Sequence, residues 1–340
     1  MSRPTIGDVA EKAGFSKATV SAVLNDAGTV KDSTRRKVNQ AIDELNYRPR
    51  AAAQNGFRAD LNKSIGLIIK EGDNPYFADV IAGARERGNE KGYTILSASS
   101  EGNYDCEQQI VDVFKNKDVD GLVIIPVLES GADLSYLFDL KRRNFPFVLL
   151  EEVQGVQASL VDIDNEKASK MAAEHLLDGG HERIVHFAGP EYSMHSMERV
   201  RGIRQAFSES PLVFSDDLVV QAGAHLRDGY QTGMEYFGEA VGEKRPTGVT
   251  CYNDLVAVGL MRALQELGID VPEEVAVIGC DDIELTQYIS TPLTSIRVPK
   301  FDMGYRSVDI LIDQIESDQA TTPKKVHLDA ELVQRESTRL

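Results

Sequence analysis

The pattern of apolar and polar positions predicts short helices at the start of the chain. From Thr5 to Ala13 the apolar residues recur at helical spacing, with Thr5 as the N-cap and an acidic residue three places later. Gly14 ends this helix, and Ser16 is placed to cap a second one, Lys17–Leu24. The predicted order is therefore helix, glycine-containing turn, helix.

The second helix and the one after it each have a single apolar face. In the second helix the predicted inward positions are Val20, Val23 and Leu24, and the outward ones are Lys17, Ala18, Ser21 and Ala22. After a polar link, a third helix opens at Ser33 and has a buried stripe made of Val38, Ile42 and Leu45. Three short helices are expected to share one small core.

The segment that follows the third helix differs in composition from the three helices. Pro49 stops the third helix, because proline disfavours helix in the residue before it. Pro49–Arg58 is rich in alanine and begins with proline, which predicts a short helix, and Ala59–Ser64 is a polar linker. We place the domain boundaries here, with a helix-turn-helix domain at 1–48, a short helix and linker at 49–63 and a larger domain at 64–340.

From Ser64 onward, strand-like apolar runs alternate with amphipathic helices. The predicted strands are Ile65–Ile69, Tyr93–Ala98, Gly121–Ile125, Phe147–Leu150, Ile184–Ala188, Gly248–Cys251 and Ala276–Gly279. The predicted helices are Phe77–Lys91, Cys106–Asn116, Leu134–Arg143, Lys167–Asp178, Val200–Glu209 and Leu255–Leu267. So many strand-helix units predict an α/β fold of doubly wound parallel sheets in two lobes, with a ligand at the carboxyl ends of the strands.

Composition limits the class of protein. A length of 340 residues, with 42% hydrophobic and 27% charged residues, is typical of a globular protein of two or three packed units. No stretch approaches the ~20 apolar residues that cross a bilayer, and no apolar leader is present, so we expect a cytoplasmic protein. Cys106, Cys251 and Cys280 are odd in number and far apart, which favours reduced thiols over disulfides or a zinc cluster.

The distribution of charge changes what the net charge of −17 implies. Residues 1–63 carry 11 Lys and Arg against 7 Asp and Glu, a local charge of +4, which leaves −21 on the remainder. Taken over the whole chain, the acidic balance argues against nucleic acid, because phosphate binding needs local positive charge. A basic head on an acidic body is instead consistent with a DNA reader joined to a soluble module.

The segment from Thr5 to Asn25 carries the strongest functional signal. Its geometry is that of a helix-turn-helix, in which the second helix enters the major groove of DNA. On geometry alone, a purely structural three-helix unit stays open as an alternative. The amino-acid sequence of this region is more specific than its geometry. The informative stretches are Thr5-Ile6-Gly7-Asp8-Val9-Ala10, Ala13-Gly14-Phe15-Ser16, Thr19-Val20-Ser21, Val23-Leu24-Asn25 and Leu45-Asn46-Tyr47-Arg48-Pro49.

These stretches closely resemble the DNA-binding head of the LacI/GalR family of bacterial regulators. The resemblance continues through the body in Ile65-Gly66-Leu67-Ile68, Asn74-Pro75-Tyr76-Phe77, Val119-Asp120-Gly121-Leu122, Ala188-Gly189-Pro190, Asn253-Asp254, Pro272-Glu273-Glu274-Val275 and Leu293-Thr294-Ser295-Ile296. It implies a two-lobed fold like that of periplasmic binding proteins, a homodimer, a pseudo-palindromic DNA operator and a small-molecule effector, with repression as the activity.

The resemblance also implies how the chain is divided between the lobes. The crossovers are expected near Leu150–Asp162 and Val277–Thr294. Lobe 1 is then about 64–160 plus 283–295, and lobe 2 is about 161–282 plus 296–340.

Residue roles follow from the same resemblance. The positions that match contacts to the DNA backbone are Thr5, Ser16, Thr19, Asn25 and Tyr47. The recognition-helix positions are Lys17, Ala18, Ser21 and Ala22, of which Lys17 can reach guanine acceptors while the alanines can touch thymine methyl groups. For Thr19 and Asn25, helix packing and capping are equally open.

Pro49–Arg58 resembles the hinge helix of the family, which places an apolar side chain in the minor groove. The DNA-facing residues expected there are Arg50, Ala53 and Phe57. Ungapped counting puts Gly56 where a leucine is usual, so Gly56 and Phe57 compete for the wedge position.

The effector residues expected from the resemblance are Tyr76, Phe77, Arg199, Asn253 and Asp281. Guanidinium, carboxamide and carboxylate can share the hydroxyls of a polyol, which favours a sugar or sugar derivative. Other roles stay open: Phe77 as a core residue, Arg199 as a surface ion-pair partner, Asn253 as a cap and Asp281 as a turn residue. Asp254 is expected to cap the helix that begins near Leu255.

Two other classes of protein remain to be weighed. The chain has no phosphate loop, dinucleotide fingerprint, nucleophile elbow or zinc-protease motif, so we expect no enzyme, cofactor or metal ion. A solute-binding protein would share the body but would not need residues 5–25.

Overall fold

The computed structural model describes residues 6–24, 30–45, 61–117, 119–129, 132–239, 245–317 and 321–339. The chain divides into two compact units, Met1–Leu61 and Asn62–Leu340. The predicted hinge helix, at residues 49–58, lies outside the described residues.

The first unit contains the three predicted helices, α1 (Ile6–Ala13), α2 (Lys17–Leu24) and α3 (Asp32–Leu45). Gly14 ends α1 with a φ of +73°, a left-handed conformation that glycine adopts without a steric penalty. The shared core is made of Val9, Ala10, Val20, Val23, Val38 and Ala41. The helix-turn-helix prediction is confirmed, with α3 beginning one residue earlier than expected.

The second unit contains two six-stranded sheets. The strands are β1 (Ser64–Ile69), β2 (Thr94–Ser99), β3 (Gly121–Ile124), β4 (Phe147–Leu149), β5 (Ser159–Ile163), β6 (Ile184–Ala188), β7 (Val219–Gln221), β8 (Gly248–Cys251), β9 (Ala276–Asp281), β10 (Thr294–Arg297), β11 (Lys325–Leu328) and β12 (Glu331–Val333). Their order is β11-β5-β4-β3-β1-β2 in the first sheet and β12-β10-β9-β8-β6-β7 in the second. The paired strands are parallel except β12, which runs antiparallel to β10.

Helices cover the sheets on both faces, as in a doubly wound fold. They are α4 (Pro75–Glu90), α5 (Tyr104–Asn116), α6 (Ser135–Arg142), α7 (Asn165–Asp178), α8 (Met194–Ser208), α9 (Leu226–Glu239), α10 (Asp254–Leu267) and α11 (Lys300–Glu316). The backbones of α4 and α11 cross closely, since a Cβ on Gly83 would lie 1.9 Å from the Phe301 carbonyl oxygen. None of the described helices is long and apolar enough to span a membrane.

The expected division of the chain between the lobes is wrong over several segments. β5 and β11 lie side by side in the first sheet, and α11 packs on α4 in the same lobe. β10 pairs with β9 and therefore belongs to the second lobe. The chain passes between the lobes after β5, between β10 and α11, and between β11 and β12. Lobe 1 thus includes residues 159–163, 300–317 and 321–328, while residues 283–295 lie in lobe 2.

Candidate functional site

A cleft lies between the carboxyl ends of the two sheets and holds a cavity of about 90 Å³. Tyr76, Phe77, Arg199, Asn253 and Asp281, the five side chains expected to bind effector, all line it. Carboxyl ends of parallel strands are where open α/β folds bind ligands, because the strand-to-helix loops converge there. The structure therefore brings together residues that are far apart in the sequence.

Arg199 lies on the second turn of α8 and is only 7% exposed, so it is not a surface ion-pair partner. The helix starts at Met194, earlier than expected, because Ser193 acts as its N-cap. The Nε of Arg199 donates to Asn165 Oδ1 at 3.0 Å, and Nη1 donates to the Tyr252 carbonyl oxygen. Its guanidinium carbon lies 4.8 Å from the centre of the Tyr252 ring. These contacts fix the guanidinium at the wall of the cleft.

Asp281 ends β9 in a strained turn. Its φ is +118° and that of Asp282 is +52°, a region that L-residues rarely adopt. Lys300, which is 5% exposed, donates through Nζ to the carbonyl oxygens of Asp281 and Asp282, at 2.5 Å and 3.0 Å. Burial raises the pKa of Asp281 to about 6, against the opposing effect of Arg199 and Lys300. The turn places the carboxyl group of Asp281 in the lining of the cleft.

Asn253 both lines the cleft and caps α10. Its Oδ1 accepts from Val256 N at 2.9 Å, and its Nδ2 donates to the Ala224 carbonyl oxygen at 2.8 Å. Asn253 has an extended backbone, which is the conformation of an N-cap. The cap is therefore Asn253, and the prediction that Asp254 caps this helix is wrong.

Asp254 is the first residue of α10 and is fully buried. It accepts from Ile283 N at 2.8 Å and from Ser295 Oγ at 2.6 Å, which ties α10 to the turn after β9. Burial and the neighbouring Asp281 raise the pKa of Asp254 well above its ordinary value.

Tyr76 and Phe77 stand on the first turn of α4. Asn74 caps this helix by accepting from Tyr76 N at 3.0 Å. The Tyr76 hydroxyl donates to Met303 Sδ at 3.4 Å. The rings of Tyr76 and Phe77 meet edge to face, with their centres 5.1 Å apart. Phe77 is only 6% exposed, so it belongs to the core as well as to the wall of the cleft.

Sequence reasoning missed an ion pair in the cleft between Lys70 and Glu151. Lys70 Nζ lies 2.5 Å from Glu151 Oε2, and Glu151 Oε1 accepts from Ser193 Oγ at 2.8 Å and from Met194 N at 3.1 Å. Glu151 of lobe 1 thus reaches the amino end of α8 in lobe 2. Burial raises the pKa of Glu151, but Lys70 and His195 outweigh it and set the pKa at about 2.

Two histidines also bridge the lobes. His195 Nε2 lies 2.8 Å from Asp162 Oδ2, and His225 Nε2 lies 3.0 Å from Glu71 Oε1. Burial lowers the pKa of His195, yet Asp162 and Glu151 raise it above the ordinary value overall. The pKa of His225 is raised as well, against burial, by Asp228 and Glu71. The carboxylates beside each ring therefore stabilise its positive charge.

A sequence signal for some of the missed residues exists. Lys70 and Tyr252 each follow directly after a predicted strand, as ligand-binding residues of this fold class do. Glu151 follows β4 at a distance of two residues. Asp162 lies in β5, which the pattern did not reveal.

The recognition helix α2 presents the expected residues outward. Lys17 and Ala18 are exposed, and Thr19, Ser21 and Ala22 are half-buried. The predicted cap is confirmed, since Ser16 Oγ accepts from Thr19 N at 3.1 Å. The remaining residues expected to contact DNA lie outside the described residues: Thr5, Asn25, Tyr47, Arg50, Ala53 and Phe57.

Comparison with known proteins agrees with this architecture. Residues 5–50 match the model of bacterial regulatory proteins of the lacI family, and residues 173–338 match that of a periplasmic binding protein-like domain. The HTH-type transcriptional repressor PurR of Photobacterium profundum is 32% identical over 339 residues, which cover 98% of each chain.

Two solved structures extend the likeness. The complex of the transcriptional regulator CelR with cellobiose is 28% identical, with a TM-score of 0.74 over 98% of this chain and 100% of that one. The lac repressor dimer bound to operator and the anti-inducer ONPF is 25% identical, with a TM-score of 0.70 over 99% of each chain. With a helix-turn-helix head, a two-lobed body and relatives that match along its full length, this protein is a DNA-binding transcriptional repressor that belongs to the lacI family of bacterial regulatory proteins.

Proposed function

We propose that this repressor is controlled by a small, neutral, polyhydroxylated effector, a sugar or sugar derivative, bound in the cleft between its lobes. One observation carries the proposal: Tyr76, Arg199, Asn253 and Asp281 come from separate stretches of the chain and converge on one cleft. A guanidinium, a carboxamide and a carboxyl group can each bond sugar hydroxyls, and the aromatic pair offers an apolar face.

The charges of the cleft support a neutral ligand. Two cation–anion pairs are satisfied within the protein, Lys70 with Glu151 and His195 with Asp162. Arg199 and Asp281 add one positive and one negative group, and the carboxylate of Glu71 also lines the cleft. Since the cations do not outnumber the carboxylates, a phosphorylated effector would bring negative charge without a matching excess of cations.

The lobes provide the means of control. Glu151, Asp162 and Glu71 of lobe 1 each contact a residue of lobe 2, so the arrangement of the lobes depends on polar contacts around the cleft. An effector that binds one arrangement better shifts the population toward it by its differential affinity. Because the repressor is proposed to act as a homodimer, this shift changes the spacing of its two DNA-binding heads.

On DNA, Lys17, Ala18, Ser21 and Ala22 are proposed to face base edges of a pseudo-palindromic operator. Lys17 and Ala18 are exposed on α2, and Ser21 and Ala22 are half-buried, which leaves all four partly accessible to a bound duplex. Backbone contacts are proposed for Thr5, Ser16, Thr19, Asn25 and Tyr47, and hinge contacts for Arg50, Ala53 and Phe57.

The effector proposal can be tested by thermal unfolding of the full-length protein with D-ribose, D-glucose, D-galactose, cellobiose, D-gluconate, glucose 6-phosphate and adenine. Only a ligand of the native state raises the Tm, by about 5 °C at a hundredfold excess over its Kd, which adds about 2.7 kcal/mol. We expect a neutral sugar to do so, and Arg199→Met and Asp281→Asn to abolish the shift.

Arg201→Met is the matched control, because Arg201 lies on the same helix and pairs with Glu166 away from the cleft. It should keep the full shift. A shift by glucose 6-phosphate alone, or one that survives both cleft substitutions, would contradict the proposal.

The DNA proposal is tested by selecting binding sites from random double-stranded DNA with the intact protein. Inverted half-sites are expected, and the mass in solution should be about twice the 37.4 kDa of one chain. Recovery of single, unrepeated half-sites by a monomer would contradict it.

A further inference from the structure

His186 is an unusual residue for the centre of a parallel strand. It lies in β6 between Val185 and Phe187 and is 1% exposed. Its Nδ1 lies 3.1 Å from the Thr250 carbonyl oxygen and 3.0 Å from the Thr250 hydroxyl oxygen. The hydroxyl can donate or accept, but a carbonyl oxygen can only accept. An unprotonated Nδ1 would set its lone pair against the carbonyl oxygen, so Nδ1 carries the proton. Burial lowers the pKa of His186 to about 3, which leaves the ring neutral.

This tautomer makes Nε2 of His186 a buried hydrogen-bond acceptor. Among the described residues, no group donates to it. Buried acceptors of this kind are rare, since a lost hydrogen bond costs about 1–3 kcal/mol. The lone pair therefore indicates a donor at this point of the core.

A small cavity lies at the same place, and Arg199 lines both this cavity and the cleft. Its volume is about 10 Å³, close to the lower limit for one water molecule. Polar groups in its wall belong to Ser169, His186, Arg199 and Thr250. A water molecule is retained in a protein core when two to four polar partners surround it.

We propose that this cavity binds one ordered water molecule that joins His186 to Arg199. The water donates one O–H to His186 Nε2 and accepts an N–H from the Arg199 guanidinium, whose Nε and Nη1 already serve Asn165 and Tyr252. Its second proton goes to Ser169 Oγ, which donates its own proton to the Asn165 carbonyl oxygen at 2.9 Å. Every proton of the water thus has an acceptor.

The water binds the Arg199 guanidinium on the side of the small cavity and fixes the plane of the guanidinium. The side of the guanidinium that lines the cleft stays available to a ligand. This positioning role rests on the proposed effector site, whereas the water site itself does not.

The thiol of Cys280 also lines this cavity and is a rival donor to His186. Burial raises the pKa of this thiol to about 12, so it is protonated and able to donate weakly. A direct S–H to Nε2 bond would leave no role for water. The experiment has to separate these two donors.

The first test is a crystal structure of the full-length protein at about 1.2 Å, where ordered waters are well resolved. We expect an electron-density peak about 2.8–3.0 Å from His186 Nε2 and within the same range of an Arg199 nitrogen. A dry cavity, or Cys280 Sγ in hydrogen-bond contact with Nε2, would overturn the proposal.

The second test is ¹⁵N NMR of the histidine-labelled protein and of Cys280→Ala. We expect His186 to remain the Nδ1–H tautomer from about pH 5 to 8, with an unchanged Nε2 resonance in Cys280→Ala. A changed Nε2 resonance in that variant would assign the bond to the thiol.

The third test replaces His186 with leucine and follows hydrogen exchange of the Arg199 Nε–H. Loss of the water should accelerate this exchange about tenfold, the factor that corresponds to 1.4 kcal/mol. His181→Leu is the control, because His181 is also a buried histidine but bonds Thr247 away from the cavity. Equal acceleration in both variants would contradict a specific role. The water peak and the effector response are measured independently, so one proposal can fail without the other.

Discussion

Glu151 and Lys70 form an ion pair at the junction of the lobes, with Lys70 Nζ 2.5 Å from a glutamate oxygen that is fully buried. The other oxygen of Glu151 accepts from Ser193 and Met194 at the amino end of α8, where the helix dipole favours negative charge. The carboxylate thus connects a cation of lobe 1 to a helix of lobe 2.

Removal of the lysine should be costly. Lys70→Met leaves Glu151 buried and without its cation, which typically reduces the free energy of unfolding by about 3–5 kcal/mol. Urea unfolding at pH 7 measures the loss. The double variant Lys70→Met, Glu151→Gln should recover most of it, because the amide can still accept from Ser193. Lys324→Met, which removes an exposed pair with Asp313, should change little.

The same carboxylate predicts an acid limit to stability. The pKa of Glu151 is about 2 in the folded protein against an ordinary 4.5, so its contribution is present above pH 4.5 and is lost as the pH falls toward 2. Unfolding free energies measured between about pH 6 and 3 should fall less in Glu151→Gln than in the parent. Identical slopes in the two proteins would contradict this.

The contacts of His195 and His225 between the lobes are expected to weaken as the pH rises, which is the opposite of the pH dependence of the Glu151 contribution. The pKa of His195 is raised above 6.5, so its contribution is full below that pH and is lost as the pH rises through the raised value. The charged groups that interact with His195 are Asp162, Glu151, Arg199, Glu198 and Asp281. The distance between spin labels on the two lobes should therefore lengthen as the pH rises from 6 through the raised pKa of His195. His195→Asn should remove that change in part, and His225→Gln the remainder.

The hydrogen bonds of Lys300 are expected to stabilise the turn after β9. Lys300→Met removes two hydrogen bonds from a charged donor to the carbonyl oxygens of Asp281 and Asp282, and should lower the free energy of unfolding by about 2–3 kcal/mol. Chemical denaturation of the parent and of Lys300→Met measures this loss, and an unchanged free energy of unfolding would contradict it.

Lys17 is expected to discriminate between operator sequences rather than to attract DNA of any sequence. In binding to the selected operator, Lys17→Ala should lose about tenfold in affinity and relax the preference at one base pair of each half-site. Lys37→Ala, at an exposed position of α3, should keep the sequence preference. A uniform loss across all sequences in Lys17→Ala would instead assign Lys17 to the phosphates.

Much of this protein was predictable from local pattern. Helical periodicity, Gly14 and the cap at Ser16 define α1 and α2. Apolar runs define β1, β3, β6 and β8, because strands buried on both faces must be apolar throughout. The five cleft residues were identified through resemblance to a family, since spacing alone could not place them together.

The tertiary structure decided what depends on contacts between distant segments. Periodicity shows that a strand exists but not which sheet it joins, so the placement of β10 in lobe 2 and of β11 in lobe 1 emerged only from pairing. Likewise, Asn253 and Asp254 are neighbouring polar residues in the sequence. Only the packing shows that Asn253 caps α10 and that the buried Asp254 accepts a hydrogen bond from Ile283 N in the turn after β9. Local order is encoded in neighbouring residues, whereas the partners of a charge depend on which segments the fold brings within a few ångströms.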